Sequence, residues 1–575
     1  MEDRLKMKFL LTLSFVLFCF AGPCHADVNG GSTCAACDVV LGLVEQTSAI
    51  HNESLVKALE RICNYLPDDF QKSCKVFLEY IGPILITIVE DRDTPDVICS
   101  KLGLCTAETG PQCTLFPLKP GTKLHHYSQD PVLVQKTKHL DMPKVGVKIC
   151  DFPGIKEICN WIDDIFSNHE PAVDLDGDKH SPYETLRGYS WRGKDCDDRL
   201  TGVHPGARTI NDDINMDSNC NGVKGLDPTT QMPYEKVLCE GSEPRGIAVL
   251  GDSISAHFHL PREWFNATEL STAVFEGLPY IGENELDWPA FSYATGFMNA
   301  TDTLRKVIHG PTDSVYLRMW ERNRCNFRDY QNIAVNGARS GAMADTIEKS
   351  LYRNKTGDYP LIVYYALVGN DVCNGHPDTI NHMTKPDEMK ENALKTLAFL
   401  DSMLPMGSYV FLTGLADGRV LYNSLKDRIH PIGALRNDVT YAHFYDYFNC
   451  LEISPCTGWM NTNQTLRDLT TQRANELSAV LEKIANTSAG NYKNFKLWYN
   501  ENPINKVIDE WTAQGKQAWE LLEPVDGFHS NQLGNVQVAR AIWQEMEQQW
   551  PEVLGKVNPN NDKIRAIFGD QGGYR

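Results

Sequence analysis

Cysteine spacing constrains the fold of this chain more than any other feature of its sequence. Six cysteines fall between residues 34 and 105, at Cys34, Cys37, Cys63, Cys74, Cys99 and Cys105. Between them, CDVVLGLVEQ and SLVKALERICNYL repeat apolar residues at three- and four-residue steps, which predicts amphipathic helices. The segment VFLEYIGPILITIVEDR is more apolar, and its proline, Pro83, is predicted to kink or divide a helix. Spacing alone does not select a pairing among six cysteines.

The order C-x2-C, C-x10-C and C-x5-C, with helical spans between the pairs, resembles a saposin B-type domain over residues 34–106. This resemblance implies the pairs Cys34–Cys105, Cys37–Cys99 and Cys63–Cys74, in an all-α unit whose helices open to bind lipid. The alternative is a disulfide-stapled helical unit without a lipid role.

The N-terminus has the composition of a secretory signal peptide. Arg4, Lys6 and Lys8 precede the apolar run 9–20, and small residues follow, so residues 1–26 are predicted to be removed and 27–33 to form a short propeptide. The alternative is a membrane anchor, but the run is short for a span. No later run is long and apolar enough to predict a transmembrane segment in the mature protein.

The remaining cysteines and the sequons agree with a secreted or endolysosomal protein. After Cys19 and Cys24 leave with the signal, 16 of the 18 cysteines remain, an even number suited to an oxidising compartment. Glycosylation sequons occur at Asn52, Asn266, Asn299, Asn354, Asn463 and Asn486.

The net charge of −20 argues against nucleic acid as a partner, because such binding depends on Lys and Arg at phosphates. It also means that an anionic lipid would need local basic patches or bound cations.

Residues 107–172 are predicted to form a linker with an exposed processing site, because they are rich in Pro, Lys and His. Cys150 and Cys159 are candidates for a local bridge. Cys113 has no obvious local partner and is expected to pair with a distant cysteine.

Residues 173–225 form an acidic loop region, and Ca²⁺ binds such alternating carboxylates on tight loops. The order DxDGD, DCDD, PGA, DSNCNG is similar to calcium-binding loop repeats of extracellular proteins, although no Glu stands where an EF-hand has one. We expect more than one structural Ca²⁺, clamped by a Cys196–Cys220 bridge. The alternative is a solvated acidic loop, and zinc is disfavoured because the donors are oxygens. The candidate ligands are Asp174, Asp176, Asp178, His180 through its carbonyl, Asp195, Asp197, Asp198, Asp212, Asn215, Asp217, Asn219 and Asn221.

Residues 226–575 alternate apolar runs with amphipathic segments. Strands are predicted over 246–252, 359–371 and 408–418, and helices over DTIEKSLYRN and EMKENALKTLAFLDSML. This alternation predicts an α/β domain with a parallel sheet and helices on both faces.

Four polar blocks follow one another along this domain: GDS at 251–253, NG at 336–337, GND at 369–371 and DGFH at 526–529. A lone GDS is usually a turn, but the four blocks in this order resemble the GDSL, or SGNH, hydrolases, with Ile254 in place of Leu. The resemblance implies a three-layer α/β/α fold and the nucleophile Ser253. It also implies His529 as base, Asp526 as its orienting acid, and oxyanion donors from Ser253, Gly337 and Asn370. Gly337 can alternatively serve only a tight turn.

Three further polar residues near the first block are expected to be structural. Asp252 is predicted to hydrogen-bond the turn, and His257 and His259 to be pocket or packing residues.

The whole order, a saposin-like unit, acidic loops and a secreted SGNH hydrolase, resembles the acyloxyacyl hydrolase family. This implies a serine lipase that removes secondary fatty acyl chains from the lipid A part of bacterial lipopolysaccharide. It also implies a precursor cut between about 120 and 150 into two subunits joined by a disulfide, with Cys113 paired to Cys450 or Cys456. The alternatives are a general secreted phospholipase or acyl-lipid esterase, and a non-catalytic lipid carrier.

Overall fold

The computed structural model describes residues 28–90, 93–106, 112–143 and 169–574. The predicted signal peptide and the candidate bridge Cys150–Cys159 lie outside the described residues. In the N-terminal part the helices are α1 (Gly31–His51), α2 (Leu55–Tyr65), α3 (Asp68–Ile88), α4 (Pro95–Lys101) and α5 (Pro131–Thr137).

The N-terminal helices form a disulfide-stapled domain. Helix α1 packs against α2 and α4, and α2 packs against α3. Disulfides join Cys34–Cys105, Cys37–Cys99 and Cys63–Cys74, the pairs that the saposin resemblance implies. Helix α3 contains Pro83 in its interior, so this proline does not divide the helix. Among the described residues one helix, Val28–His51, is long and apolar enough to cross a membrane, and 67% of its most apolar window is buried within the protein.

The C-terminal domain is built on a five-stranded parallel sheet. Its strands are β1 (Gly246–Gly251), β2 (Tyr330–Asn332), β3 (Leu361–Ala366), β4 (Ser408–Thr413) and β5 (Phe495–Asn500), in the spatial order β2-β1-β3-β4-β5. The strand order reverses between β1 and β3, and ligands of open α/β sheets bind outside the carboxyl ends of strands at such a point. The predicted strands 246–252, 359–371 and 408–418 were too long, because each apolar run continues past its last paired residue, at Gly251, Ala366 and Thr413.

The helices that follow the acidic loops are α6 (Tyr234–Leu238), α7 (Ser253–Ala256), α8 (Thr272–Phe275), α9 (Leu278–Glu283), α10 (Val315–Arg322), α11 (Ser340–Ala342), α12 (Glu348–Ser350), α13 (Pro386–Met403), α14 (Arg419–Leu425), α15 (Tyr441–Cys450), α16 (Gln464–Ser488), α17 (Pro503–Ala513), α18 (Gln532–Gln549) and α19 (Asn561–Phe568).

Helices cover both faces of the sheet. Successive side chains of a strand point to opposite sides, so neighbouring residues of β3 show what covers each face. On β3, the Tyr364 hydroxyl reaches Met546 Sδ of α18 at 3.1 Å. The next residue, Tyr365, is also buried and points to the opposite face of the sheet. The fold is therefore a three-layer α/β/α domain.

The acidic loop region covers the β2 edge of the sheet. Gly193 N donates to Tyr330 O at 2.9 Å and Asn332 N donates to Trp191 O at 2.7 Å, so the loop pairs with β2. The buried guanidinium of Arg187 forms a two-bond ion pair with Glu285, with its shorter bond at 2.6 Å. A Cys196–Cys220 disulfide closes the loops, as predicted from the sequence. The region thus protects an edge strand that would otherwise present unpaired backbone groups.

The two domains are held together covalently and by polar contacts. Cys113 pairs with Cys450 at the end of α15, while Cys456 pairs with Cys373 and Cys239 with Cys325. His443 Nε2 lies 3.1 Å from Thr114 O. The sequence left the partner of Cys113 open between Cys450 and Cys456, and the structure selects Cys450.

A pair of buried carboxyl groups lies at this domain contact. Asp38 accepts the Tyr447 hydroxyl at 2.6 Å, and Asp96 accepts the backbone N–H groups of Leu115 at 2.6 Å and Phe116 at 3.1 Å. Burial, followed by the charge of Asp96, raises the pKa of Asp38 well above its usual value. Burial raises the pKa of Asp96 to about 6.

These raised pKa values predict that acidic pH stabilises the protein. A carboxyl group with a raised folded-state pKa contributes stability that is complete below its unfolded-state pKa and is lost as pH rises through the folded-state pKa. We expect the melting temperature to fall between pH 5 and pH 7.5, and Asp38→Asn to reduce that fall by about 2–4 °C. The measurement is thermal unfolding at both pH values. Glu79→Gln, an exposed carboxyl in the same domain, is the control, and an equal effect of both variants would contradict the assignment.

Candidate active site

Ser253 lies immediately after β1, at the first position of the short helix α7. Asp252 precedes it and fixes the turn, because its carboxylate accepts Ile254 N at 3.1 Å and Val368 N at 2.7 Å. The second of these bonds ties the end of β1 to the end of β3. Asp252 is buried, and burial raises its pKa to about 6. These contacts are those of the structural residue that the sequence predicts.

His529 lies between Ser253 and Asp526 and hydrogen-bonds both. Its Nε2 is 2.7 Å from Ser253 Oγ and its Nδ1 is 2.5 Å from Asp526 Oδ2. The other carboxylate oxygen of Asp526 accepts the backbone N–H groups of Phe528 at 2.8 Å and His529 at 3.1 Å. Ser253 lies 276 positions before His529, and these two residues form one hydrogen-bonded row with Asp526.

The electrostatics of this row favour the charged imidazole. All three side chains are buried. Burial alone would lower the pKa of His529, but the adjacent Asp526 carboxylate outweighs burial, so the net pKa is raised. A raised pKa makes the neutral imidazole a stronger acceptor for the serine proton, and the charge that results lies beside a carboxylate.

Asn370 meets Ser253 at a cleft, whereas Gly337 lies outside the described lining of that cleft. Asn370 follows β3, and the order of the strands brings its end beside the end of β1. Gly337 lies in the turn after β2 with φ +74°, a conformation that favours glycine, and a side chain there would meet open space. The positive φ supports the turn role of Gly337, and this glycine is also exposed at the surface.

The cleft that Ser253 faces spans about 530 Å³, counting the space that is open to solvent, and is largely apolar. It runs from the serine between α14, α17 and the loop before α18. The apolar side chains that line it are Ile254, Val368, Ala416, Val420, Leu421, Trp459, Ile504, Ile508, Leu522 and Phe528. This apolar lining suits a hydrocarbon group next to a reacting ester.

His257 and His259 are buried and lie outside the described cleft lining, so both are packing residues rather than pocket residues. His259 Nδ1 is 2.8 Å from the buried Glu523 carboxylate, and its Nε2 is 2.7 Å from Val307 O. Sequence reasoning missed Glu523, although it stands three residues before Asp526 in the same block.

Five of the predicted calcium ligands converge in two overlapping clusters. Single oxygens of Asp174, Asp176 and Asp198 lie within 4.8 Å of one another, and so do those of Asp176, Asp178 and Asp195. One carboxylate oxygen of each of the four residues Asp176, Asp178, Asp195 and Asp198 is buried without a hydrogen-bond partner. Burial raises the pKa of Asp178 to about 9 and that of Asp195 to about 7. Closely spaced carboxylate oxygens without hydrogen-bond partners are the kind of donor that Ca²⁺ prefers.

The remaining predicted ligands do not join these clusters as side chains. Both oxygens of Asp197 accept the exposed Arg199 guanidinium, at 2.7 and 2.9 Å, so this carboxylate is engaged outside the two clusters. His180 Nδ1 lies 2.9 Å from Gly193 O.

The third acidic block is organised around a residue that the sequence did not suggest. Asn219 and Asn221 each donate at 2.6 Å to the buried Glu235. Asp217 retains a buried oxygen without a partner, while Asp212 and Asn215 are exposed. Glu235 lies outside the Asp/Asn-rich block, and only its neighbours in space reveal it.

The sequon asparagines are accessible. Asn52, Asn299, Asn354, Asn463 and Asn486 are exposed, and Asn266 is half-buried, with Oδ1 accepting Thr268 N at 3.1 Å.

Comparison with known proteins matches both domains. The model of the saposin-like domain matches residues 33–160, and that of the GDSL-like lipase/acylhydrolase family matches residues 247–542. Acyloxyacyl hydrolase of Homo sapiens is 44% identical over 562 residues, which cover 96% of each chain. The Mus musculus acyloxyacyl hydrolase is 43% identical and covers 95% of this chain and 94% of its own. Mouse prosaposin is 34% identical over 87 residues, which cover 14% of this chain and 15% of prosaposin.

Proposed function

The chain belongs to the acyloxyacyl hydrolase family of GDSL-like lipases, and from that membership we propose that it removes the secondary fatty acyl chains of lipid A from bacterial lipopolysaccharide. The chain is an ester hydrolase by family. The observation that carries the proposal is the Ser253–His529–Asp526 row, whose serine lines a largely apolar cleft.

In the proposed reaction, Ser253 Oγ attacks the ester carbonyl while His529 Nε2 takes its proton. The tetrahedral intermediate collapses to a seryl ester, and His529 returns the proton to the departing 3-hydroxyl oxygen of the primary acyl chain. Water, deprotonated by the same imidazole, then attacks the seryl ester. His529 returns that proton to Ser253 Oγ as the ester bond breaks, which releases the fatty acid and restores the serine. Asp526 keeps the proton of neutral His529 on Nδ1 and stabilises the imidazolium.

The oxyanion donors that the family resemblance implies are the backbone N–H groups of Ser253 and Gly337 and the side-chain amide of Asn370. Asn370 and Ser253 line the same cleft, which supports this assignment. Such donors stabilise the charge that develops on the carbonyl oxygen and are typically worth about 100- to 1000-fold in rate each.

The saposin-like domain is proposed to help extract the acyl chain. Exposing a buried hydrocarbon chain to water costs about 0.8 kcal/mol per CH₂, so a chain leaving an aggregate needs an apolar shelter.

We expect cleavage of the precursor between about residues 120 and 150. The Cys113–Cys450 disulfide would then hold the two subunits together. A secreted and endolysosomal location suits both the disulfides and a lipopolysaccharide substrate.

The proposed substrate is tested by incubating the protein with purified lipopolysaccharide and analysing released fatty acids and residual lipid A by mass spectrometry. Loss of secondary chains, with primary 3-hydroxyacyl chains retained, is the expected result. Faster release from glycerophospholipids than from lipopolysaccharide would favour the general phospholipase. Binding of lipid without release would favour a non-catalytic carrier.

We further propose that the clusters around Asp176 hold structural Ca²⁺, with Asp174, Asp178, Asp195 and Asp198 as the other carboxylate ligands. The buried unpartnered oxygens support this proposal, because carboxylates packed so closely repel one another without a cation.

Removal of calcium is therefore expected to destabilise the fold. A site saturated about 1000-fold above its dissociation constant contributes about 4 kcal/mol, which a chelator would remove. The melting temperature should fall with chelator and recover with added Ca²⁺, and Asp178→Asn should abolish that response. Loss of activity with an unchanged melting temperature would show instead that the cation is catalytic.

A further inference from the structure

The loop that carries Asp526 and His529 is held from outside by three side chains. The backbone carbonyls of Pro524, Val525 and Gly527 each accept one side-chain donor. The Tyr441 hydroxyl donates to Pro524 O, His430 Nε2 lies 2.6 Å from Val525 O, and the Tyr445 hydroxyl donates to Gly527 O at 2.8 Å. We name Tyr441, Tyr445 and His430 the loop clamp.

The clamp is buried and its hydrogen bonds have a defined direction. His430 and Tyr445 are fully buried, and the His430 ring stacks on Phe444 with centroids 4.0 Å apart. His430 Nδ1 accepts Ile432 N at 3.2 Å, so the proton of the neutral ring is on Nε2 and points to Val525 O. Burial lowers the pKa of His430 to about 4, which keeps the ring neutral.

The two elements that carry the clamp also hold the saposin-like domain. Tyr447 of α15, two residues after Tyr445, donates to the buried Asp38 at 2.6 Å. Gln46 of α1 donates to Ile432 O at 2.8 Å, next to His430. Helix α15 ends at Cys450, which is joined to Cys113. Residues 430–450 therefore contact the saposin-like domain on one side and the catalytic loop on the other.

We propose that residues 430–450 couple the docking of the saposin-like domain to the position of Asp526 and His529. The clamp residues and Tyr447 are positioning residues, because they act on the reacting ester only through the loop. An acylated lipid that changes the seating of the saposin-like domain would thereby change turnover at the triad. The inference rests on the proposed role of the triad in hydrolysis.

The test uses the full chain and a short soluble ester, p-nitrophenyl butyrate, which requires no extraction from an aggregate. Tyr447→Phe removes one hydroxyl at the domain contact, two residues after Tyr445 of the clamp. We expect kcat to fall about 10-fold with KM unchanged, because a small misplacement of a catalytic group is costly. Gln46→Leu, at the second contact, is expected to act in the same direction.

A double-mutant cycle separates coupling from a general loss of stability. If Tyr447 acts through the clamp, Tyr445→Phe combined with Tyr447→Phe should lower kcat little further than Tyr445→Phe alone. Tyr330→Phe is the matched control. Tyr330 lies on β2, and this variant removes its buried hydroxyl, which donates to Tyr189 O at 2.8 Å. This control should lower the melting temperature without lowering kcat.

The proposal is overturned if Tyr447→Phe and Gln46→Leu both leave kcat unchanged, or if Tyr330→Phe lowers kcat as much as they do. Additive losses in the cycle would also overturn it. Each of these results leaves the hydrolase proposal intact, whereas full activity after Ser253→Ala would refute the role of the triad itself.

Discussion

Replacement of Ser253 by alanine is expected to lower fatty-acid release from lipopolysaccharide by at least about 10⁴-fold. The variant retains the cleft, the imidazole and the saposin-like domain, but it lacks the oxygen that forms the seryl ester. Lipid binding should therefore persist, and the melting temperature should change little because only one hydroxyl is lost. The measurements are mass analysis of released fatty acid and co-sedimentation with lipopolysaccharide.

Ser255→Ala is the matched control for this prediction. Ser255 lies two residues further along α7, is buried, and has its hydroxyl 2.9 Å from the Tyr293 hydroxyl. Its loss should cost stability rather than turnover. If Ser253→Ala kept more than a tenth of the activity, or if Ser255→Ala were as inactive, the assignment of the nucleophile would be wrong.

Replacement of Asp526 by asparagine is expected to lower kcat by about 10⁴-fold. Asparagine retains an oxygen that can accept the N–H groups of Phe528 and His529, so the loop should keep its shape. The carboxylate oxygen that faces His529 Nδ1 is replaced by an amide nitrogen in that arrangement. The imidazole then turns its proton toward Ser253 and can no longer accept the serine proton. Initial rates on lipopolysaccharide and on a short ester measure the effect.

Asp252→Asn distinguishes the role of Asp252 from that of Asp526, the other buried aspartate near the nucleophile. Asp252 accepts the backbone N–H groups of Ile254, after β1, and of Val368, after β3, and those bonds are structural. We expect this variant to lower the melting temperature and to cost far less in kcat than Asp526→Asn. Equal losses of kcat from the two variants would show that Asp252 also acts on His529.

The hydrolase fold was predictable where strands are fully buried. Strands β1, β3 and β4 are near-continuous apolar runs, which is the pattern of strands covered by helices on both faces. Strand β2 was missed because its three residues, Tyr-Gln-Asn, are mostly polar and are buried by pairing with the acidic loop. Strand β5 was missed because it is a half-exposed edge strand in which apolar and polar residues are mixed.

The sequence predicted which residues form the candidate site, but it did not predict how they and their neighbours are arranged in space. The four blocks named Ser253, Asp526, His529 and Asn370, since chemistry of this kind requires a hydroxyl, an imidazole, a carboxylate and an amide. Glu523 and His259 carry no such signal, because a buried ion pair is recognisable only when its partner in space is known. The same holds for Glu235, which belongs to the third acidic block through two asparagine donors.

The sequence by itself determined the two domain types, the disulfide framework that the saposin resemblance implies, and the residue types that can hydrolyse an ester. These follow from local spacing and apolar periodicity, which the chain carries whether or not it is folded. Only the tertiary structure decided that Cys113 pairs with Cys450, that a cleft of apolar side chains adjoins Ser253, and that residues 430–450 hold both the saposin-like domain and the catalytic loop. Such contacts join residues far apart in the chain, and their partners are fixed by packing and hydrogen-bond geometry rather than by position in the sequence.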